Sequence, residues 1–219
     1  MYVGDDVVDL GDPETRDGAR HPGFDARVFT ADELRWLQAQ PDTQLARWTL
    51  WAAKESALKL ARKLEPDTVF SPRAFSAQHE RPGLLQVTHG TAAVQVEVRR
   101  SGSCLHALAH SHGSAVTTTV VSGHLPVSAG ADPSDAVRRF ACEQLAAQLR
   151  CEPAELVVVK TRGVPSLQRN GERMDADLSL SHHGRFVSFA CTLTERSGSS
   201  LLAGTAMLAT ATEAYGSHA

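Results

Sequence analysis

The chain has 219 residues, 42% of them hydrophobic and 21% charged, which fits an ordinary globular protein with a sizeable core and excludes fibrous and wholly disordered classes. A formal net charge of -3 gives no global field to concentrate nucleic acid or an anionic membrane, so neither is expected as a partner. Four cysteines, Cys104, Cys142, Cys151 and Cys191, form no C-x-x-C pair; zinc-knuckle and dithiol chemistry are not indicated, and free, mostly buried thiols are expected.

Residues 2–10 are a short β-branched run interrupted by Gly4, Asp5 and Asp6, which predicts a strand whose polar residues face a site. The start is acidic and lacks a basic stretch followed by an apolar run, so no secretory signal is read; no segment approaches the ~20 apolar residues that cross a bilayer. A cytoplasmic location is expected. A loop rich in Gly, Pro and charge follows to residue 27. Thr30, three residues before Glu33, is a capping-box signature for a short helix containing Leu34, Trp36 and Leu37, closed by Pro41.

Residues 45–64 predict the longest helix of the first half. Leu45, Trp48, Ala52, Glu55, Lys59 and Arg62 recur at spacings of three and four, so one face begins apolar and ends ionic. Alternating runs at 84–87, 92–98 and 104–109 predict antiparallel strands joined by Gly and Ser turns. Residues 111–133 read as a linker enclosing the strand TTTVV. Asp132 or Ser134 can cap a helix through Arg138, Phe140, Leu145 and Leu149, and the runs LVVVK (156–160) and RFVSFACTL (185–193) predict further strands. The two halves share an outline, a weak internal repeat that implies an α+β fold of two related units.

Three groups of residues carry chemistry. Asp6, after Gly4 at a strand end, and Glu55, on the long helix, are carboxylates from separate elements with oxygen ligands only, which suits a hard cation such as Mg²⁺. Taken locally, Asp6 is an ordinary turn acid. Lys54, Glu55 and Lys59 form K-E-x-x-x-K; a solvated ion pair is the plain alternative, but Trp48, Leu50, Trp51, Ala52, Ala53, Ala57 and Leu58 surround the array on more sides than a solvated helix tolerates. Ser181, His182 and His183 end the alternating run DADLSLS, where they can donate to phosphate oxygens with Arg185 adding charge, or else form an exposed turn. His110 and His112 lack the further ligands a zinc site needs. A Ser/His/Asp hydrolase is disfavoured because no G-x-S-x-G elbow occurs and Ser181 directly precedes its histidine.

Together these groups resemble the motifs of the 4'-phosphopantetheinyl transferase superfamily. G-D-D-V-V at 4–8 looks like its G-x-D strand, and F-T-A-D-E at 29–33 like its F-[ST]-x-x-E segment. L-W-A-A-K-E-S-A-L-K at 50–59 is similar to its W-x-x-K-E-x-x-x-K helix, and L-S-L-S-H-H at 178–183 to its S-H-S strand end. Gly163-Val164-Pro165 occupies the place of its G-K-P. The order of motifs differs from that of the two-lobed, surfactin-type members and follows that of the small trimeric holo-acyl-carrier-protein synthases.

The resemblance implies a pseudo-two-fold pair of lobes in permuted order, each a small antiparallel sheet packed on a long helix, and a monomer acting as a pseudodimer. The lobes would cover residues 1–112 and 113–198, with a tail at 199–219. The N-terminal strand and the strand ending near Leu193 should then lie together.

It also implies transfer of 4'-phosphopantetheine from coenzyme A to a serine of an acyl, polyketide or peptidyl carrier protein, releasing 3',5'-ADP. Asp6 and Glu55 would hold Mg²⁺, and Lys54 and Lys59 would add charge. Glu55, directly or through a metal-bound water, would accept the serine proton. Ser181, His182, Pro165 and Arg162 would hold the nucleotide. Val8 stands where two-lobed members carry a third carboxylate, and Val164 replaces the G-K-P lysine, for which Arg162, Arg169 or Arg138 are the candidate substitutes. Arg138 and Arg139 offer a basic docking patch for acidic carriers. The alternative is a non-catalytic coenzyme A or carrier-binding module of the same fold.

Overall fold

The computed structural model describes residues 1–111, 118–161 and 163–194. Strand β1 (Val3–Asp9) is followed by 3-10 turns at Pro13–Thr15 and Asp17–Ala19 and by three helices, α1 (Phe24–Val28), α2 (Ala31–Gln38) and α3 (Thr43–Leu64). The Thr30 capping box is present in full: Thr30 Oγ1 accepts the Glu33 N–H and the Glu33 carboxylate accepts the Thr30 N–H. Asp42 caps α3 by accepting the Leu45 N–H.

Four strands complete the first half: β2 (Phe75–Arg81), β3 (Leu84–His89), β4 (Ala92–Ser101) and β5 (Cys104–His110). They form one antiparallel sheet in the order β1-β5-β4-β3-β2. Helix α3 lies across it, burying Leu50, Ala53, Ala57 and Leu60 against Val8, Leu85, Val96 and Ala107. Residues 75–81, which gave no clear strand signal in the sequence, join as the outer strand because Phe75 and Ala77 alternate into this core.

The second half contains β6 (Thr118–Pro126), α4 (Pro133–Leu149), β7 (Leu156–Thr161), β8 (Val164–Arg169), β9 (Glu172–Arg173), β10 (Ala176–His183) and β11 (Phe186–Thr194). Asp132 caps α4 by accepting the Ser134 and Asp135 N–H groups. Its six strands divide between two three-stranded antiparallel sheets, β10-β11-β6 and β7-β8-β9, where one sheet was expected. Helix α4 packs Phe140, Ala141 and Leu145 against Leu178, Val187 and Phe189, giving this half its own core. The fold is α+β with antiparallel sheets throughout. In each half an opening strand, β1 or β6, pairs with the closing strand, β5 or β11, and is followed by the long helix.

The halves meet edge to edge along β1 and β10. The backbone N–H groups of Val3, Asp5, Val7 and Asp9 donate to Asp177, Ser179, Ser181 and His183 respectively, at 2.7 to 3.4 Å. An edge strand exposes alternate N–H groups that must find partners once buried. Here side chains at every second position of β10 supply them, so the alternating DADLSLS run is the seam. Val3 is bonded to Asp177, whose register partner is Thr192, so the start of β1 lies beside the end of β11.

Candidate active site

Gly4 sets how closely the helix approaches β1. A Cβ there would stand 2.1 Å from the Ser56 carbonyl oxygen and 2.8 Å from the Leu60 N–H nitrogen, so the strand backbone rests on the helix backbone. Two residues on, on the same face of β1, Asp6 therefore meets the next turn of the helix, where Glu55 and Lys59 stand one above the other.

Lys59 Nζ donates to Asp6 Oδ1 at 3.0 Å, to the Asp5 carbonyl at 2.7 Å and to Ser181 Oγ at 3.0 Å. Ser181 Oγ in turn donates to Asp6 Oδ1 at 2.9 Å. Burial disfavours the Lys59 charge, but Asp6 and Asp5 outweigh it, with Glu55 adding to them, and hold the ammonium above its ordinary value. One turn further, Lys63 Nζ bonds the Val3 carbonyl, Asp177 Oδ2 and the Leu178 carbonyl. The two lysines thus cross-link strand, helix and opposite half. Lys63 was not singled out in the sequence, although its spacing of four from Lys59 placed it on the same face.

Asp6, Glu55 and Lys59 open onto a cleft of about 290 Å³ between the halves, whose other wall is Ser134, Val137, Arg138, Lys160, Leu180, Ser181 and His182. Glu55 has no hydrogen-bond partner among the described residues. Burial first, and then the Asp6 charge, push its carboxyl up to about 7. The cleft walls, with Lys59 and Lys160 nearby, hold the His182 imidazole below its ordinary value.

Several expected site residues lie elsewhere. Lys54 is completely buried, donating to Glu33 Oε2 at 2.7 Å and to the Val28 and Pro72 carbonyls. Adjacent residues of a helix diverge by about 100°, so Lys54 and Glu55 point into different surroundings. Lys54 instead ties α3 to the capping-box glutamate. Pro165 is not among the residues lining the cleft; its register partner Lys160 is. Arg162 and His112 lie outside the described residues. Arg185 is committed to Asp9 in a two-pronged ion pair at 2.7 and 2.8 Å, which clamps the β10–β11 turn to β1 and holds the Asp9 carboxyl down at about 2. Arg169 pairs with Glu155.

A model of the 4'-phosphopantetheinyl transferase superfamily matches residues 2–117, slightly more than half of the chain. The chain belongs to this superfamily. No curated protein matches it. The superfamily transfers phosphopantetheine in general, with coenzyme A as donor. The matched span holds Asp6, Glu55 and Lys59 but not Ser181 or His182; geometry alone ties the second pair to the first.

Among the described residues no group of three or more His, Cys, Asp or Glu side chains is placed to hold a metal ion. The cleft offers two carboxylates, Asp6 and Glu55, and Val8, on the same face of β1 as Asp6, is packed in the core. Two carboxylates in an open cleft still fit a hard cation that keeps waters and shares substrate phosphate oxygens, and a cation there would relieve the repulsion that Asp6 exerts on Glu55. No helix among the described residues is long and apolar enough to cross a membrane.

Proposed function

We propose that the chain transfers 4'-phosphopantetheine from coenzyme A to the serine hydroxyl of a carrier protein in a Mg²⁺-dependent reaction, as a monomer in the cytoplasm. The observation that carries this reading is the set of three hydrogen bonds from Lys59: it touches Asp6 of the matched half and Ser181 of the other, so the K-E helix and the S-H-H strand end share one cleft. The closeness of β1 to the end of β11 supports the permuted lobe order.

In this reading Asp6 and Glu55 hold the cation, which would neutralise the donor pyrophosphate. Lys59 sits between Asp6 and the opposite lobe, where its ammonium faces phosphate oxygens, and Ser181 and His182 fix the nucleotide from β10. The carrier serine oxygen attacks the β-phosphorus, the bond to the departing 3',5'-ADP breaks with its electron pair going to that leaving group, and Glu55 accepts the serine proton directly or through a water. A carboxylate pushed up to about 7 is suited to proton uptake near neutral pH. Positioning and charge neutralisation supply most of such a reaction's acceleration.

The test is intact-mass analysis of a panel of apo carriers from fatty-acid, polyketide and nonribosomal peptide assembly, with coenzyme A and Mg²⁺. One carrier should gain the mass of the arm, and chelation should prevent it. No gain on any carrier would overturn the reading.

A further inference from the structure

On the face of β1 turned away from α3, Asp5 is completely buried in the seam between the halves. Its Oδ2 accepts the Ser188 hydroxyl of β11 and lies 3.6 Å from His106 Nε2 on β5. Neither Asp5 Oδ1 nor His106 Nε2 has a hydrogen-bond partner among the described residues. The His106 ring meets the His124 ring of β6 edge to face, with centroids 5.7 Å apart. One histidine thus comes from each half, with a carboxylate beside the pair.

The other charges around this point are already matched. Asp9, on the same face of β1, is claimed by Arg185, and on β4 Glu97 is claimed by Arg99, the register partner of His106. The Cys104 thiol of β5 is pushed up to about 12, by burial and then by Asp9, and stays neutral. His110 stands opposite Val3 at the far end of that strand. Behind β1, Lys59 and Lys63 of α3 are paired with Asp6 and Asp177, and on β10 His183 Nδ1 accepts the Asp9 N–H. His124 itself points away from α4, whose Phe140 meets the opposite face of β6 at Gly123, and its register partner on β11 is the neutral Ser188.

Among the described residues, Asp5 is therefore the one carboxylate left for two imidazoles. It balances one proton on the pair. A second proton sets two like charges face to face across the seam, shielded from water, where repulsion is strongest. Burial first, and then His106, hold the His124 imidazole below its ordinary 6.5.

We infer that His106 and His124 form an acid-sensitive latch between the halves: protonating both drives β5 and β6 apart and releases β1 from β10. The cleft is walled by both halves, so opening the latch separates Asp6 and Glu55 from His182. The inference rests on the seam and not on the proposed transfer. Parted halves expose His124, which then takes its proton at the ordinary 6.5, whereas the closed seam takes it only at lower pH. The closed pair's contribution is thus present in full above 6.5 and is lost as pH falls below it, by at most about 10-fold in the opening equilibrium per pH unit.

The experiment is hydrogen exchange of the full chain without ligand, followed by NMR at about pH 7.5 and about pH 5.5, with rates corrected for the intrinsic pH dependence of exchange. The readout is the amides of Val3, Asp5 and Val7, which donate across the seam to β10. Asp9 is left out because its acceptor, His183, titrates itself. The protection these amides lose at the lower pH should be roughly 3-fold to 10-fold greater in the wild type than in His124→Phe or His124→Gln. The first variant keeps a ring that cannot charge and the second keeps a polar group, so the reference does not hang on one substitution. Leu85 and Leu145, in the two cores, should not share the loss. An equal loss in wild type and variants overturns the inference, and so does a loss as large at Leu85 and Leu145, which marks unfolding of the halves rather than their separation.

Discussion

Replacing Gly4 by Ala puts the geometry of the cleft to a direct test. The added methyl would lie 2.1 Å from the Ser56 carbonyl oxygen, against 3.4 Å or more in ordinary contact, so strand and helix must separate by about 1.3 Å at that point. Both obstructing atoms belong to the helix backbone, which cannot rotate away as a side chain can. Gly4 is not among the glycines with positive φ, so alanine has no backbone objection of its own. In a strand it would otherwise gain about 0.5 to 1 kcal/mol over glycine. The close approach reverses that sign: overpacking of this kind costs roughly 1 to 3 kcal/mol, several degrees of melting temperature for a domain of this size. The displaced helix carries Glu55 and Lys59, and a misplacement of about 1 Å can cost on the order of 100-fold in rate. Urea and thermal unfolding, run beside apo-to-holo carrier conversion, measure both effects. Gly18→Ala, where nothing lies within 4 Å, serves as the neutral control. If Gly4→Ala were as stable as the wild type and equally active, the account of how β1 and α3 form the cleft would be wrong.

Lys54→Met should lower stability by roughly 3 to 5 kcal/mol, because it leaves the buried Glu33 carboxylate without its cation, yet protein kept well below its melting temperature should retain its KM for coenzyme A. A raised KM in folded protein would return Lys54 to the donor site. Glu55→Gln should reduce transfer by about 10²- to 10⁴-fold while removing a pH-dependent penalty on folding. The folded protein keeps the Glu55 proton up to about 7, whereas the unfolded chain releases it near 4.5, so this group's contribution is fully present below pH 4.5 and is lost as pH rises through 7. In EDTA the urea midpoints of wild type and variant should therefore draw apart across that window; parallel curves would refute the environment assigned to Glu55.

Local signals were reliable where one element suffices to define them. The capping box at Thr30 and Glu33 reports its own geometry, and the spacing of four between Glu55 and Lys59 fixes a helix face whatever packs against it. Signals failed where a residue's role depends on a partner distant in sequence. Lys54 read as a neighbour of Glu55, but its environment is set by Glu33, Val28 and Pro72 on the far side of the helix. Arg185 read as a phosphate ligand, and the buried Asp9 claims it first. Lys160 gave no signal, since a lysine ending a β-branched strand is unremarkable until β8 and α4 place it in a cavity.

By itself, then, the sequence determined the superfamily, the α+β class, and the placement of Asp6 on a strand and of Glu55 and Lys59 on one face of a helix, because strand alternation and helical period are properties of short segments. Only the tertiary structure decided which cations remain free for a ligand. That depends on which buried carboxylates and carbonyls claim an ammonium or guanidinium first, and those claims run between separate elements, some of them more than a hundred positions apart, as from Lys59 to Ser181 and from Asp9 to Arg185.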